Sequence, residues 1–486
     1  MSDVQEIISL MKEPSKENVA LTKKAYEFSQ RAHEGDKRFS GEPYFNHAFE
    51  TAKNLAEFGM DAPSIAAGFL HDTLEDGNTD EKTLEKEFGK EVSFLVEGVT
   101  KLGKLKYRGL ERHAESLRKL FIATAKDARV LIIKLADRLH NVSTLDGHPE
   151  KEKRYRIALE TLEIYVPLAD RLGMGRLHGE LEDYVFPYVF PEEYKKTKEI
   201  MKKKRADHEK HLEKFRRSLQ KELAGHGVKN FKTSYRVKHL YSLYKKLLRK
   251  EMDIDKIYDI TALRITTETV GECYQVLGII HGIWKPLPGR IKDYIALPKP
   301  NGYQSIHTTV FTGDGAIVEI QIRTEQMHRE AEYGIASHLA YKKGFFEKFK
   351  SSKNRQAVQK KLGWINELIQ WQENVSENKK FLKELKMDFF KHRVFVFTPH
   401  GDAIDLPEES TPVDFAYMIH SDIGNHLSGA KVNGKMASIK TKLRNGDIVS
   451  IETKKNAHPS RKWLEYVKTG MAQRHIRLWL QKNQQN

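Results

Sequence analysis

The chain has 486 residues, of which 39% are hydrophobic and 31% charged, and a formal net charge of +16. At about 150 residues per domain, this length predicts roughly three domains. The single cysteine, Cys273, excludes an internal disulfide and a cysteine zinc site. The apolar runs are too short to cross a bilayer, and the N-terminus lacks the apolar core of a signal peptide. We therefore expect a cytoplasmic protein that contacts neither membranes nor DNA, and whose charge favours nucleotides, RNA or a ribosome as partners.

The first segment, residues 1–195, has the apolar periodicity of an all-helical domain. One helix is predicted to begin at Asp61, with Pro63 in its first turn. Its apolar sequence runs directly into the ionisable cluster HDTLED at residues 71–76, and Gly77 is predicted to end the helix. Ionisable groups at the end of a buried helix are costly unless something compensates their charge.

A metal ion explains this cluster together with a second apolar helix that leads into KLADRLHN at residues 134–141. Two imidazoles and two carboxylates suit manganese, iron or zinc better than calcium or magnesium. Glu75 and Asp76 are expected one turn further along the same helix face, where they can deprotonate or orient a water for attack on phosphorus. A hydrogen-bonded core histidine is the alternative for either histidine alone, but the joint pattern disfavours it. The predicted ligands are His47, His71, Asp72 and Asp137.

Three motifs of this segment resemble the HD phosphohydrolase domain of the RelA/SpoT alarmone enzymes: SGEPYFNH at residues 40–47, HDTLEDG at 71–77 and KLADRLHN at 134–141. The resemblance implies manganese-dependent removal of the 3′-pyrophosphate from (p)ppGpp. It implies that the four predicted ligands bind Mn²⁺ and that Glu75 and Asp76 handle the attacking water. It also implies a nucleotide-binding set of Arg38, Asn141 and Thr144.

Three positions depart from the family pattern. Phe39 stands where the family usually has a lysine, Ser143 where an arginine is common, and Gly77 where a threonine is usual. The first two departures each remove a phosphate or base contact, whereas the metal set is complete. We therefore expect hydrolysis with weaker substrate binding, and a mainly regulatory hydrolase domain is the alternative.

Residues 196–230 are predicted to form a charged helical connector with a solvated basic face, for which RNA contact is the weaker alternative. A second domain, of α+β type, is predicted at residues 231–345. At its start, a strand or turn enters a helix and brings a set of basic and hydroxyl side chains together as a triphosphate cradle. That set is Arg236, Lys238, Ser242 and Lys246.

Two strands are predicted in the second domain, at residues 257–267 and 317–323. The later strand alternates, with Val318, Ile320 and Ile322 on one side and polar residues on the other. Asp259 and Glu319 thereby form a carboxylate pair on neighbouring strands, as magnesium-assisted phosphoryl transfer requires, although an ordinary amphipathic strand has the same alternation.

The loop at residues 290–310, RIKDYIALPKPNGYQSIHTTV, is dense in cations, amides and an aromatic ring. Its prolines and Gly302 exclude a helix, so we predict a loop between strands. Cations suit phosphates and a ring suits a base face, although a solvated basic loop has the same composition.

The second domain resembles the RelA/SpoT synthetase domain, a nucleotidyltransferase-like α+β fold, through YSLYKK (241–246), IYDITALRI (257–265), the loop above and VEIQIRTEQMHREAEYGIASHLAYK (318–342). The resemblance implies transfer of pyrophosphate from ATP to the ribose 3′-oxygen of GDP or GTP. Asp259 and Glu319 are then the Mg²⁺ ligands, and Glu319 accepts the 3′-hydroxyl proton. The implied ATP-binding residues are Arg236, Lys238, Ser242, Lys246 and Arg264. The implied GDP/GTP-binding residues are Lys292, Lys299, Asn301, Tyr303 and His307.

After a predicted helical linker at residues 346–390, short strands, Asn-Gly turns and a short helix indicate a small β-grasp domain at residues 391–453. VFVFTPHGDAIDLP (394–407) and TPVDFAYMIHSDIG (411–424) resemble the TGS module of the same family. This implies contact with deacylated tRNA on the ribosome, with His420 as the candidate contact; a buried structural histidine is the alternative. Residues 454–486 are predicted to start a C-terminal helical region.

The residues therefore predict a bifunctional (p)ppGpp synthetase and hydrolase with three domains in a row. One alternative is a synthetase with a mainly regulatory hydrolase domain. The other is a catalytically silent tRNA- or ribosome-binding regulator, which is supported by the net charge of +16 and the TGS-like module. The complete set of carboxylates and metal ligands favours the bifunctional enzyme.

Overall fold

The computed structural model describes residues 3–75, 79–100, 110–254, 257, 260–299, 301–313, 315–339, 365 and 393–483. The predicted Asp76 and Asp259 sites lie outside these residues, as does the predicted linker at 346–390 apart from Ile365. The chain divides into two compact units, Met1–Glu373 and Asn374–Asn486. None of the described helices combines the length and the apolar sequence that crossing a bilayer requires.

The described regular elements of the N-terminal half of the first unit are helices, as the sequence predicts, apart from one isolated β-bridge between Lys37 and Pro43. Its α-helices are α1 (Val4–Leu10), α2 (Lys16–Ala32), α3 (Phe45–Glu57), α4 (Ala62–Leu70), α5 (Glu81–Thr100), α6 (Leu110–Lys126), α7 (Arg129–Ser143), α8 (Lys151–Glu160), α9 (Val166–Arg171), α10 (Gly175–Val189) and α11 (Pro191–Gly225). A 3₁₀ turn at Leu145–Gly147 and a π-helical segment at Thr161–Tyr165 flank α8.

Helices α3 and α4 pack unusually closely, and this sets the spacing of the residues at their ends. Asp61 begins α4 as predicted, accepting a hydrogen bond from the Ser64 backbone amide at 3.1 Å. A Cβ on Gly68 of α4 would lie 2.6 Å from Leu55 Cδ1 and 3.2 Å from Ala52 Cα in α3. A larger residue at position 68 would have to displace the Leu55 side chain and move the α3 backbone by a few tenths of an ångström.

The prediction that α4 continues through residues 71–76 is wrong, because α4 ends at Leu70. The His71 ring nitrogen Nδ1 donates to the Gly68 carbonyl at 2.8 Å, and Thr73 Oγ1 donates to the Leu70 carbonyl at 2.7 Å. These side chains take up carbonyls that a continuing helix would use. Residues 71–75 form turns instead, and Glu75 therefore does not extend the face of α4.

The remainder of the first unit is built on a five-stranded sheet with the strand order β1-β2-β5-β4-β3. Strands β2 and β5 are parallel and the other pairs are antiparallel. The strands are β1 (Lys232–Val237), β2 (Thr261–Thr267), β3 (Lys292–Asp293), β4 (Ile306–Phe311) and β5 (Ile317–Thr324). The helices are α12 (Leu240–Arg249), α13 (Val270–Ile283), α14 (Glu325–Tyr333) and α15 (Ala336–Leu339).

One face of this sheet is apolar and the other is polar, as the alternation in residues 317–323 predicts. Leu263, Ile320 and Ile322 are fully buried in a core that includes side chains of α11 and α13. The opposite face carries the charged side chains of Arg236, Arg264 and Glu319. The predicted strand at 257–267 is shorter than expected, because pairing with β1 begins only at Thr261.

The second unit contains the predicted β-grasp elements. Strands β6 (Arg393–Phe397) and β7 (Ala403–Pro407) form a hairpin, and β8 (Leu427–Val432) pairs with β9 (Lys435–Ala437) and β10 (Val449–Thr453). Its helices are α16 (Pro412–Ile419), α17 (Ser421–Asn425) and α18 (Gly470–Asn483), with a 3₁₀ turn at Arg461–Glu465. The predicted Asn433-Gly434 turn is present, with φ of 52° and 79°.

The buried Asp414 carboxylate ties the C-terminal segment to α16. Its Oδ1 accepts hydrogen bonds from the backbone amides of Lys468 and Thr469 at 2.8 and 2.7 Å and from Thr469 Oγ1 at 2.9 Å. Its Oδ2 accepts from the backbone and hydroxyl of Thr411, each at 2.9 Å. One side chain thus satisfies five donors, which explains why an acidic residue stands within the otherwise apolar start of α16.

Asp414→Ala is therefore expected to destabilise the second unit by about 3 kcal/mol or more, because buried donors lose their acceptor together. Calorimetry of the whole chain should show an earlier unfolding transition. Asp422→Ala, at an exposed position of α17, is the matched control and should leave that transition nearly unchanged. Equal melting of both variants would contradict a structural role for Asp414.

Candidate functional sites

The first candidate site lies where α3, α4 and α7 meet. His47 in α3, His71 after α4 and Asp137 in α7 are buried, and one ligand atom of each lies within 4.8 Å of the others. Asp72 joins them, since its Oδ2 is 3.1 Å from His71 Nε2 and 3.5 Å from His47 Nε2. The structure thus brings the four predicted metal ligands together.

The separations between these donor atoms fit one divalent ion. His47 Nε2 lies 3.2 Å from Asp137 Oδ1 and 3.2 Å from His71 Nε2, and His71 Nε2 lies 3.8 Å from Asp137 Oδ1. Ligands bound at about 2.0–2.2 Å from one ion are separated by distances of this size. The HD sequence pattern implies dependence on a divalent metal, and these residues could hold it.

The hydrogen bonds behind the imidazoles leave their Nε2 atoms facing the shared space. His71 Nδ1 donates to the Gly68 carbonyl, which turns its Nε2 toward the shared space. His47 Nδ1 lies 2.8 Å from Nδ1 of His140, to which Arg38 Nη1 also donates at 3.1 Å. Burial, with the charges of His47 and Arg38, lowers the pKa of His140 to about 3. The neutral His140 ring is therefore the acceptor that orients His47.

The two carboxylates have partners that keep them ionised. Tyr44 Oη donates to Asp72 Oδ2 at 2.8 Å, and Lys134 Nζ donates to Asp137 Oδ2 at 2.6 Å. Burial opposes ionisation of Asp137, but Lys134 and the nearby histidines hold its pKa well below the usual range. Burial alone would lower the pKa of His71, yet Asp72 and Asp137 raise it to about 9.

The predicted nucleotide contacts of this site also lie together. Arg38 Nη1 donates to Thr144 Oγ1 at 3.0 Å, and Arg38 Nη2 donates to Asn141 Oδ1 at 2.6 Å. Glu75 is exposed at the end of the turn that carries His71. Phe39 projects into solvent, with its ring 4.7 Å from that of His148.

Sequence reasoning did not assign Tyr44, Lys134 or His140 to this site. All three stand within the quoted motifs, and His140 lies one turn after Asp137 on the same face of α7. That spacing was the available signal for His140. The contact of His140 with His47 depends on how α3 packs against α7, which the motif does not encode.

The second candidate site is the polar face of the five-stranded sheet. The strand register places Arg264, Gln321 and His307 in one row across β2, β5 and β4. Arg236 and Glu319 follow on the same face, at alternating positions of β1 and β5. The predicted pair of Asp259 and Glu319 is represented by Glu319 alone in the described residues.

Glu319 is held by two polar neighbours. His307 Nδ1 lies 3.3 Å from Glu319 Oε1, and Gln321 Nε2 donates to the same oxygen at 3.3 Å. Tyr303 Oη lies 2.8 Å from His307 Nε2, so Tyr303 donates while the ring donates to Glu319. Burial lowers the pKa of His307, which keeps the ring neutral in this relay. A carboxylate positioned in this way can accept a proton or bind a cation.

The predicted nucleotide loop adopts an irregular path between β3 and β4, as its prolines and glycine predict. Lys299 Nζ lies 4.9 Å from the ring centre of Tyr294 and 5.1 Å from that of Tyr303. Lys292 is exposed on β3, opposite His307. Four of the five predicted GDP/GTP residues thus share one side of the sheet.

The fifth, Asn301, contacts the helical half of the unit. Its Nδ2 donates to Asp170 Oδ1 in α9 at 3.2 Å.

The predicted ATP residues follow β1 into α12 as expected, but Ser242 Oγ donates to Glu182 Oε2 of α10 at 3.0 Å. Lys245 Nζ donates to the other oxygen of Glu182 at 2.5 Å, and Glu182 is 1% exposed.

These contacts belong to a close seam between α9–α10 and the sheet domain. The Ile335 backbone amide donates to the Leu172 carbonyl at 2.9 Å. Next to it, Gly334 has a φ of 54°, and a Cβ there would lie 2.2 Å from the Leu172 carbonyl oxygen and 2.5 Å from the Gly173 carbonyl carbon. Both the backbone angle and the space therefore require glycine.

In the second unit, His420 is exposed, and its Nδ1 accepts a hydrogen bond from the Asp422 backbone amide at 3.2 Å. It caps α17 and is not the buried histidine of the alternative interpretation. Its Nε2 side faces away from this cap, on the surface of the β-grasp unit.

Three family models match the chain in sequence order: the HD domain at residues 25–175, the region found in RelA/SpoT proteins at 235–345, and the TGS domain at 394–453. The chain is 47% identical over 468 residues to a GTP pyrophosphokinase of Myxococcus xanthus, covering 96% of this chain and 61% of that protein. The bifunctional (p)ppGpp synthase/hydrolase SpoT of Escherichia coli K12 is 42% identical, covering 95% of this chain and 65% of that protein.

A guanosine-3′,5′-bis(diphosphate) 3′-pyrophosphohydrolase of Borreliella burgdorferi is 40% identical over 464 residues, covering 95% of this chain and 68% of that protein. The chain thus spans about 60% of the length of several curated relatives and more than two thirds of this one. With all three domain models in order and this extent of identity, the chain belongs to the RelA/SpoT family.

Proposed function

We propose that this chain is a bifunctional alarmone enzyme. It makes (p)ppGpp by transferring pyrophosphate from ATP to the 3′-hydroxyl of GDP or GTP, and it hydrolyses (p)ppGpp to GDP or GTP and pyrophosphate. The observation that carries this proposal is the presence of two separate polar sites in one compact unit. One is a buried His/Asp cluster, and the other is the polar face of the five-stranded sheet, which carries Arg236 and Arg264 beside Glu319. Relatives named for each activity support the pairing.

The His/Asp cluster is the proposed hydrolase site. Its ligands would be His47, His71, Asp72 and Asp137, and its imidazole-rich donor set favours Mn²⁺ over Mg²⁺. When bound, the ion supplies Lewis acidity at phosphorus and lowers the pKa of water. Glu75 and Asp76 are proposed to orient that water and to take its proton. The nucleotide would be held by Arg38, Asn141 and Thr144.

The sheet face is the proposed synthetase site. The 3′-oxygen of GDP or GTP attacks the β-phosphorus of ATP, the bond between the α- and β-phosphates breaks, and AMP leaves. Glu319 accepts the 3′-hydroxyl proton and, with Asp259, would hold Mg²⁺, which neutralises phosphate charge. Little covalent chemistry is needed, so positioning dominates. The proposed ATP residues are Arg236, Lys238, Ser242, Lys246 and Arg264.

The acceptor nucleotide is proposed to lie against the loop before β4. Tyr303 would stack on the guanine, while Lys292, Lys299, Asn301 and His307 contact its phosphates and sugar. Lys299 lies near the Tyr303 ring and Asn301 donates to Asp170. Nucleotide binding would therefore exchange these contacts for contacts with the ligand.

His140→Ala is expected to lower hydrolysis and Mn²⁺ affinity by roughly 10- to 100-fold, because His47 loses the acceptor that orients it. Isothermal titration with Mn²⁺ and pyrophosphate release from ppGpp measure the two effects. The control His226→Ala removes an exposed histidine at the end of α11 and should change neither. Unchanged Mn²⁺ affinity in the His140 variant would contradict the assigned orienting role.

The β-grasp unit is proposed to contact deacylated tRNA on the ribosome. The exposed His420 and the chain's net charge of +16 support this partner. Co-sedimentation with ribosomes carrying deacylated tRNA is the test, with His420→Ala as the variant. Equal sedimentation of both proteins would contradict a contact through His420.

Two assays on the purified chain test the enzymatic proposal. One supplies ATP, GDP or GTP, and Mg²⁺; the other supplies ppGpp and Mn²⁺. Turnover in both is the expected result. Synthesis without hydrolysis would favour a regulatory hydrolase domain and implicate Phe39 and Ser143. The absence of both reactions, with ribosome binding retained, would favour the silent binding regulator.

A further inference from the structure

Three basic side chains of the sheet domain converge on one oxygen atom. Oε1 of Glu332, in α14, lies 3.2 Å from Arg264 Nη2, 3.4 Å from Arg323 Nη2 and 3.6 Å from His328 Nδ1. All three distances are longer than those of a tight charge-assisted hydrogen bond. Glu332 Oε1 is thus shared among three basic groups, and it makes no short hydrogen bond with any of them.

The charges of this cluster do not balance. Burial, then the two arginines, lower the pKa of His328 to about 4, so the ring is neutral at physiological pH. Two guanidinium groups then face one carboxylate. Within the described part of the chain, the buried Nε atoms of Arg264 and Arg323 have no hydrogen-bond partner. A surplus cation in a buried place is costly unless an anion compensates it.

The two arginines differ in how far a ligand can reach them. Arg323 is 1% exposed, and its guanidinium carbon lies 6.0 Å from the ring centre of Tyr303. The Arg264 side chain is 12% exposed. In the strand register Arg264 lies between Ser234 and Gln321, on the polar face of the sheet. Arg264 is therefore the member that can leave the cluster for a ligand, whereas Arg323 remains inside.

We propose that Glu332 is a positioning residue of the nucleoside triphosphate site. It holds the Arg264 guanidinium toward the polar face before ATP arrives, and Arg323 is the buried counter-ion that keeps Glu332 fixed when Arg264 turns to the triphosphate. The ligand class is a polyphosphate, because the surplus charge is positive and the adjacent face carries further cations. This inference rests on the proposed synthetase function and assigns Glu332 and Arg323, which sequence reasoning left unassigned.

Glu332→Gln tests this role, because glutamine keeps the shape and removes the charge. The expected result is a rise of about tenfold in the KM for ATP, with kcat and the KM for GDP changed by less than about twofold. Titration with a non-hydrolysable ATP analogue should show the same loss of affinity without turnover. Glu332→Asp, which keeps the charge on a shorter side chain, should restore part of the affinity.

Glu330→Gln is the matched control, since Glu330 lies on the same helix and contacts Gln326 and His338 rather than the two arginines. Analogue affinity within twofold of wild type in Glu332→Gln would overturn the inference, as would an equal rise in the KM for GDP. Arg323→Lys covers the case in which Glu332→Gln does not fold: it keeps the charge, loses the planar fork, and should raise the KM for ATP alone. Failure of the wild-type chain to synthesise (p)ppGpp would instead refute the proposed function.

Discussion

Asp72→Ala is expected to reduce ppGpp hydrolysis by roughly a thousandfold or more and to leave synthesis within about twofold of wild type. Asp72 Oδ2 lies 3.1 Å from His71 Nε2 and accepts the Tyr44 hydroxyl, so its removal deletes a donor from the centre of the cluster. It also leaves His71 without its main ionic partner. Pyrophosphate release from ppGpp with Mn²⁺ and ppGpp formation from ATP and GDP measure the two activities.

Asp80→Ala is the matched control for this experiment. Asp80 is an exposed carboxylate shortly after the cluster, where it caps the start of α5 through the Thr83 amide. Loss of this cap should lower stability by about 1 kcal/mol and leave both activities unchanged. Residual hydrolysis near the wild-type level in Asp72→Ala would remove the His/Asp cluster from the proposed mechanism.

Glu319→Gln is expected to have the opposite effect. Synthesis should fall by about 10²- to 10⁴-fold, because glutamine cannot accept the proton of the 3′-hydroxyl and binds a cation weakly. The contacts from His307 and Gln321 have room for an amide of the same shape, so the fold and ppGpp hydrolysis should be preserved. The readout is ppGpp formation at saturating ATP and GDP.

Glu325→Gln is the control. Glu325 is the first residue of α14, it is exposed, and it accepts a hydrogen bond from Lys232. It should leave both activities unchanged. If either Asp72→Ala or Glu319→Gln abolished both reactions in a folded protein, the assignment of two independent sites would be wrong.

The local motifs predicted much of the fold, because helix caps and alternation act over a few residues. Asp61 begins α4 through its side-chain cap, and alternation along β5 places Glu319 on the polar face of the sheet and Ile320 in the core. The end of α4 was mispredicted because the His71 and Thr73 side chains take backbone carbonyls. The apolar pattern carries no signal for such competition.

The site residues were predictable where the sequence motifs themselves carry the metal-binding and nucleotide-binding side chains. His47, His71, Asp72 and Asp137 converge as expected, and so do Arg38, Asn141 and Thr144. The supporting contacts were not predictable, because they join distant parts of the chain. The Ser242 hydroxyl meets Glu182, sixty positions earlier, and the fit of α10 against α12 decides this pairing.

The seam at Gly334 has a consequence for how such a chain can change over generations. The sheet domain reaches α9–α10 through backbone atoms of Leu172 and Gly173, with no room for even a methyl group. Exchange of either of these two domains for that of a distant relative would have to preserve both sides of this fit at once. We therefore expect a substitution at Gly334 to be tolerated only together with a compensating change in the backbone at Leu172 and Gly173.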